Sequence, residues 1–304
     1  MKIWFDKNEV DYTKFTSEQF LLIHCFAKDI INKDNDFKNN NWATNIANSV
    51  QLVGKEEADI FVYPKKFDTN VIKYLNLAKE YNKKVYSFYN DDDYTPVANI
   101  ENLVLFRTSL FASKRKINEY AMPAWSRDLF VPEKSYRKKE NKPTVSFCGF
   151  ISHSIRKDCL DILNLNSYID KKFIIRNAFW GGSPHNQSLR NEYINNIVNS
   201  DFVLCCRGAG NFSYRLYETL SCGRVPIIID TDCVYPCEDK INWPIVSIFV
   251  TNITKLNEQL NTFWSTITEK EYINLQKYIR QIYEKYIAPD GFTNYINYNI
   301  TNKL

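Results

Sequence analysis

Residues 201–230 read DFVLCCRGAGNFSYRLYETLSCGRVPIIID, and the order of residue types in this stretch decides the fold. The apolar run Phe202-Val203-Leu204-Cys205-Cys206 suits a strand covered on both faces. Arg207-Gly208-Ala209-Gly210-Asn211 breaks that run with residues that tolerate tight turns. Ser213 is placed to cap a helix in which Leu216 and Leu220 point towards the sheet. Gly223 ends the helix, and Arg224-Val225-Pro226-Ile227-Ile228-Ile229-Asp230 forms the next strand. Strand, glycine loop, helix and strand in this order make an anion-binding corner. The free N–H groups of the helix start, with Arg215 beside them, suit a diphosphate. Glu218, one turn on and on the same face, offers the two oxygens that a ribose diol requires. On pattern alone the same segment also fits a plain corner of the chain.

The string Phe212 to Ile228 (FSYRLYETLSCGRVPII), followed by Tyr235-Pro236 and Ile241-Asn242-Trp243, resembles the donor-binding motif of exostosin-like glycosyltransferases. Val145-Ser146-Phe147-Cys148-Gly149-Phe150 with Arg156, and YINNIVNSDF from Tyr193 to Phe202, stand where that family carries the first strand of its second domain and the helix leading into the donor strand. Val246 to Val250 (VSIFV) is similar to the strand after the family's Trp. The resemblance covers about residues 143 to 285 and is loose over the first 140. It implies an α/β fold of the GT-B type, two Rossmann-like domains facing across a cleft. These would be an acceptor-side domain over 1–140, a nucleotide-sugar-binding domain over 141–285, and a tail over 286–304 that packs back on the first domain. It also implies roles: Arg215 on the donor diphosphate, Glu218 on the ribose, and Ser213, Gly208 and Gly210 close to the phosphates. The reaction expected from it moves a sugar from a nucleoside diphosphate, UDP-linked, to a glycan or lipid-linked glycan acceptor. Inversion is expected, with no metal and no cofactor. The segment Gly208-Ala209-Gly210-Asn211-Phe212 departs from the prolines and acidic residues common in the family's loop, which leaves the sugar open.

With 304 residues the chain is long enough for two cores of ordinary domain size. Its net charge of +4 is far from the basic footprint of a nucleic-acid binder. Lys114-Arg115-Lys116 and the stretch Lys134 to Lys142 read as a solvated helix face and a linker, or alternatively as a peripheral attachment to an anionic membrane. Eight cysteines stand mostly inside apolar strands and helices, where a thiol behaves as a small hydrophobe, and no Cys-x-x-Cys pair occurs. The opening MKIWFDKNEV lacks the apolar core of a signal peptide, so a reducing, cytoplasmic setting is expected, the inner membrane surface included.

The first half alternates apolar strands (Lys2–Phe5, Asp59–Tyr63 closed by Pro64, Lys84–Phe88, Leu103–Phe106) with helices over Ser17–Ile31, where Ser17 caps and His24 is core, and over Asn70–Tyr81. Such alternation implies a parallel sheet with its ligands beyond the strand carboxyl ends. There Asn90-Asp91-Asp92-Asp93-Tyr94 offers three carboxylates, and Asp92 is the candidate base for the acceptor hydroxyl. Asp clusters in turns also serve simply as local caps. Further candidates are Arg156 for phosphate, His153 for sugar, Arg176 and Trp180-Gly181-Gly182 for stacking on a base or sugar, and Arg107-Thr108-Ser109 for the acceptor. Three readings compete: a fucosyltransferase-like enzyme using a GDP-sugar, a non-catalytic nucleotide-sugar-binding module, and a dehydrogenase. The last is disfavoured because Gly208-Ala209-Gly210 lacks the third glycine of the dinucleotide fingerprint.

Overall fold

A computed structural model describes residues 1–10, 21–24, 26, 42–125, 127–132 and 136–300. Apart from one turn at Leu21–His24, the helix expected over Ser17–Ile31 lies outside them, as do the Ser17 cap, the His24 side chain, Cys25 and Lys134. The chain divides into two compact units. One comprises Met1–Arg127, Val234–Cys237 and Lys285–Leu304, the other Asp128–Cys233 and Glu238–Glu284. The second unit therefore begins before residue 141. Two ties draw the early segment in: Arg280 holds both oxygens of Asp128 at 2.6 and 2.9 Å, and Arg137 Nε donates to Asp201 at 2.6 Å.

In the first unit β1 (Lys2–Trp4), β2 (Gln51–Leu52), β3 (Ile60–Lys66), β4 (Lys84–Tyr89), β5 (Leu103–Arg107) and β6 (Glu119–Ala121) form a parallel sheet in the order β2-β1-β3-β4-β5-β6. Helices α1 (Leu21–His24), α2 (Trp42–Ser49) and α3 (Val71–Glu80) connect them. The helical spacing of Val71, Tyr74, Leu75 and Ala78 turns one face of α3 onto Phe61, Tyr63, Val85, Leu103 and Leu105 of the sheet. Pro64 does not close β3. The strand runs on to Lys66 through a register shift against β4 between Val62 and Lys66, which accommodates the missing amide hydrogen.

The second unit contains β7 (Thr144–Phe150), α4 (Ser154–Asn164), β8 (Asp170–Arg176), α5 (Gln187–Val198), β9 (Phe202–Leu204), α6 (Tyr214–Ser221), β10 (Val225–Ile229), β11 (Ile248–Val250), α7 (Leu256–Thr266) and α8 (Glu269–Ile282). Its sheet is again parallel, in the order β11-β10-β9-β7-β8. Gly223 follows α6 at φ 66°, a left-handed position that favours glycine, and a Cβ there would meet the Gln276 carbonyl at 2.8 Å. The chain passes from β7 outward to β8, then returns to the other side of β7 as β9. The switch point of this sheet thus lies between β7 and β9, and the rule for open α/β sheets places a ligand beyond their carboxyl ends. In the first unit, α9 (Pro289–Tyr295) sets the ring of Phe292 5.5 Å from Trp125 and 6.1 Å from Phe106.

At the amino end of the second sheet, Asp201 is fully buried. Its carboxylate accepts from the Thr144 amide at 2.7 Å, from Arg137 Nε at 2.6 Å and from the Tyr272 hydroxyl at 2.9 Å, joining the start of β7 to α8. Removing one member of such a buried network strands the others without a partner. Asp201→Ala is expected to destabilise this unit by about 3–5 kcal/mol, read as a lowered midpoint of its transition in urea.

Candidate active site at a switch point

Arg215, in the first turn of α6, sends its guanidinium under the carboxyl ends of β7 and β9. Nη2 donates to the Cys148 carbonyl at 2.7 Å and Nη1 to the Leu204 carbonyl at 3.2 Å, so this side chain bridges the two strands that define the switch point. Arg156, in the first turn of α4, donates to the carbonyls of Phe150 (2.8 Å), Arg207 (2.9 Å) and Cys206 (3.3 Å). Both are more than nine-tenths buried, and their guanidinium carbons lie 4.3 Å (Arg215) and 5.9 Å (Arg156) from the ring of Phe147. Among the described residues neither has a carboxylate partner, and Arg215 Nε is buried with no hydrogen-bond partner. Burial and then the charge of Arg215 pull the Arg156 pKa down to about 10. Two like charges out of water with only carbonyl dipoles to solvate them are costly until an anion neutralises them.

Two glycines make room for this pair. A Cβ on Gly149 would fall 2.7 Å from Arg215 Nη2, and one on Gly208 would fall 3.1 Å from Arg156 Nη2. Gly208 therefore serves by close approach. Its amide is spent inside the loop, donating to the Phe212 carbonyl at 3.1 Å, and does not point at a ligand. The loop is fixed further by Asn211, which exchanges hydrogen bonds with Thr231 through Nδ2 to the carbonyl (3.1 Å) and Oδ1 from the hydroxyl (2.8 Å). Gly210 stands in the same loop, between these two anchors. Ser213 sits at the N-cap position of α6 with extended backbone, but its side chain makes no capping bond; the first turn closes instead by Leu216 N–H to the Ser213 carbonyl at 3.1 Å. The start of α6 is thereby left without a side-chain cap.

Glu218 is 3% exposed. Arg190 Nη2 donates to one of its oxygens at 2.8 Å and the Tyr193 hydroxyl donates to the other, both from α5. Burial, followed by the Glu218 charge, pushes the Tyr193 phenol well above its ordinary pKa, so Tyr193 remains a donor. A carboxylate has about four acceptor positions, and the bonds from Arg190 and Tyr193 fix the orientation of the Glu218 carboxylate. The sequence reading missed Arg190 and Tyr193. Their spacing of one turn on the helix that precedes the motif was the available signal.

His153 caps α4: its Nδ1 accepts from the Ile155 amide at 3.2 Å. Burial, then Arg207 and Arg156, hold its pKa below the ordinary 6.5. In the first unit the three acids after β4 separate by role. Asp91 pairs with Lys66, and Asp93 accepts from the Tyr89 hydroxyl at 2.9 Å and the Thr95 hydroxyl at 2.7 Å. Burial raises the Asp91 pKa, but Lys66 and the Asp93 amide outweigh it and the net shift is down. Asp92, between them, is exposed to solvent. The first sheet has its own switch point between β1 and β3, one strand away from Asp92. The trio Arg107-Thr108-Ser109, expected to touch the acceptor, is buried. Arg107 is locked to Glu119 at 2.7 Å and to the carbonyls of Thr95 and Asp93, each at 3.0 Å. Among the described residues no three His, Cys, Asp or Glu side chains gather as metal ligands, no cysteine is in a disulfide, and no helix is long and apolar enough to cross a membrane.

A family model described as the RXYLT1 C-terminal domain matches residues 128–288, more than half of the chain. An exostosin-1 homolog of Caenorhabditis elegans is 29% identical over 96 residues, 32% of this chain and 25% of that one. A probable glycosyltransferase of Arabidopsis thaliana is 29% identical over 90 residues, 30% of this chain and 17% of its own length. The matched segments thus span a quarter or less of these relatives. Among solved structures, the lipopolysaccharide outer core galactosyltransferase WaaB in its apo form aligns over 100% of both chains with TM-score 0.48 and 14% identity, too distant to bear on the site. The likeness to exostosin-like proteins read from the donor motif is borne out by the family and the two relatives.

Gly149→Ala is expected to push the Arg215 guanidinium out of place and weaken binding of inorganic pyrophosphate by roughly tenfold or more in calorimetry, with the unit still folded. His153 predicts an acid sensitivity of definite sign. Its depressed folded-state pKa means that the stability it lends is present above the ordinary value of 6.5 and is lost as the pH falls below that value. His153→Asn, which keeps a capping acceptor, is expected to reduce the loss of Tm between about pH 7 and about pH 5.

Proposed function

The chain belongs to the RXYLT1 C-terminal domain family, and on that premise we propose that it is a glycosyltransferase whose second unit binds a nucleoside-diphosphate sugar, UDP-linked, for transfer to a glycan or lipid-linked glycan. The observation that carries the reading is the pair Arg156 and Arg215, buried without carboxylates at the β7–β9 switch point and beside the uncapped start of α6. A diphosphate supplies the charge this place lacks, and α6 adds the partial positive charge of its first turn. Glu218, one turn further on, would accept the ribose hydroxyls while Arg190 and Tyr193 hold its carboxylate in orientation.

Transfer then requires an acceptor oxygen to attack the anomeric carbon as the bond to the diphosphate breaks. The leaving group takes the electron pair, and the two guanidiniums stabilise the charge that grows on it. The acceptor hydroxyl must lose its proton to a base in the same step. Asp92 is our candidate, because it is exposed to solvent in the loop that follows β4, beyond the carboxyl end of the first sheet. A direct displacement of this kind inverts the anomeric centre, and these residues account for its charges without a metal.

Arg215 also satisfies the Cys148 and Leu204 carbonyls, so Arg215→Ala is expected to lower stability as well as binding. Glu218→Gln is the cleaner probe. It keeps the shape and is expected to weaken UDP binding by roughly tenfold to a hundredfold, the loss of a charge-assisted hydrogen bond of about 1.5–3 kcal/mol. Calorimetry across UDP, GDP and CMP tests the donor. Saturable binding of GDP alone would replace UDP by a GDP-sugar, and no binding of any of them would remove the transferase reading. Asp92→Asn is expected to keep donor binding while turnover falls about 10²–10⁴-fold. Near-normal turnover in that variant, or a product that retains the donor's anomeric configuration, would remove Asp92 as the base.

A further inference from the structure

Past the carboxyl end of β8, Phe179 and Trp180 stand adjacent and are 54% and 58% exposed. The backbone there is unusual. Trp180 has φ 57° and ψ 17°, the left-handed region that a bulky side chain seldom occupies, and Gly181 and Gly182 continue at φ 65° and 80°. A conformation of this kind costs on the order of 1–3 kcal/mol, and it persists only where the surroundings hold it.

The surroundings do hold it. Phe179 packs edge-on against Phe150 with centroids 5.1 Å apart. A Cβ on Gly181 would meet Leu189 Cδ1 at 2.9 Å and Arg176 Nη1 at 3.2 Å, so the loop lies hard against the first turn of α5. Arg176 fastens the same place, donating to the Leu189 carbonyl at 2.7 Å and to Glu192 at 2.9 Å. The strained residue nevertheless leaves more than half of its own side chain in solvent.

Position gives this exposure its meaning. Phe150, which supports Phe179, also gives its carbonyl to Arg156, so the loop adjoins the anion site directly. Arg190 and Tyr193, which bond Glu218, stand on α5, the helix against which the loop is packed. The exposed indole thus stands on a loop that adjoins the two guanidiniums and packs on the helix carrying Arg190 and Tyr193. A nucleoside diphosphate presents a diphosphate and a planar base to such a place.

We propose that Trp180 is the stacking platform for the nucleobase of the donor. This rests on the donor reading above and adds to it the residue that distinguishes a nucleotide from a bare diphosphate. Base–aromatic stacking is tolerant of base identity and worth a large factor in affinity.

The test measures UDP and inorganic pyrophosphate binding by calorimetry on the whole chain, in wild type and in Trp180→Ala, Trp180→Phe and Trp180→Gly. Wild type is expected to bind UDP more tightly than pyrophosphate. Trp180→Ala should lose roughly ten- to a hundredfold in UDP affinity with pyrophosphate affinity unchanged, and Trp180→Phe should recover much of the loss. Trp180→Gly should lose UDP affinity while its Tm holds or rises, because glycine relieves the left-handed backbone; a purely structural tryptophan would lower Tm instead. Unchanged UDP affinity in Trp180→Ala overturns the proposal and leaves the donor reading standing. The same is true if the variant raises only the KM for a glycan acceptor. Failure of wild type to bind either UDP or pyrophosphate overturns both.

Discussion

Two guanidinium groups packed near one phenylalanine ring, bonded to carbonyl oxygens and, among the described residues, to no carboxylate, govern the second unit. Arg215 ties β7 to β9 and Arg156 ties the ends of both strands to the glycine loop. Each local feature nearby answers to them. Gly149 and Gly208 give way to their nitrogens, Phe147 offers a π face, and α6 begins without a cap. A protein that only needed to close this corner could do so with apolar side chains at lower electrostatic cost. Keeping the charges is an arrangement that makes sense in the presence of an anion.

That constraint separates what could be read from the sequence from what could not. Buried parallel strands leave unbroken apolar runs, and so Leu103–Arg107, Phe202–Leu204 and Val225–Ile229 were found within a residue or two. Arg215 and Glu218 were legible as a pair because a helix places such spacings on one face. What they bond to was not, since Cys148, Leu204, Arg190 and Tyr193 meet them only after the sheet has formed. The same limit explains Gly208, expected only to lie close to a phosphate: that its missing Cβ makes room for Arg156 depends on a side chain brought up from α4. It explains Arg107 as well: its burial with Glu119 depends on β6, a strand of three residues with too little pattern to announce itself. Strand β2, with two residues, escaped for the same reason.

In the first unit, hydrogen bonding divides three consecutive carboxylates that composition cannot tell apart. Asp91 and Asp93 organise the turn through Lys66, Tyr89, Thr95 and their own backbone, and the turn in its fixed shape carries Asp92 outward. Neighbouring groups of one chemical kind thus acquire different duties from the loop that holds them.

The loop that lifts Trp180 into water has an optical consequence. Of the six tryptophans, Trp42, Trp125, Trp243 and Trp264 are at most 5% exposed and Trp4 is half-buried, while Trp180 is 58% exposed. Its emission is therefore expected at the red edge of the spectrum, and a collisional quencher such as acrylamide should reach it first. The chain thereby carries an intrinsic fluorophore at one defined loop, free of any label, whose signal is separable by wavelength from that of the core.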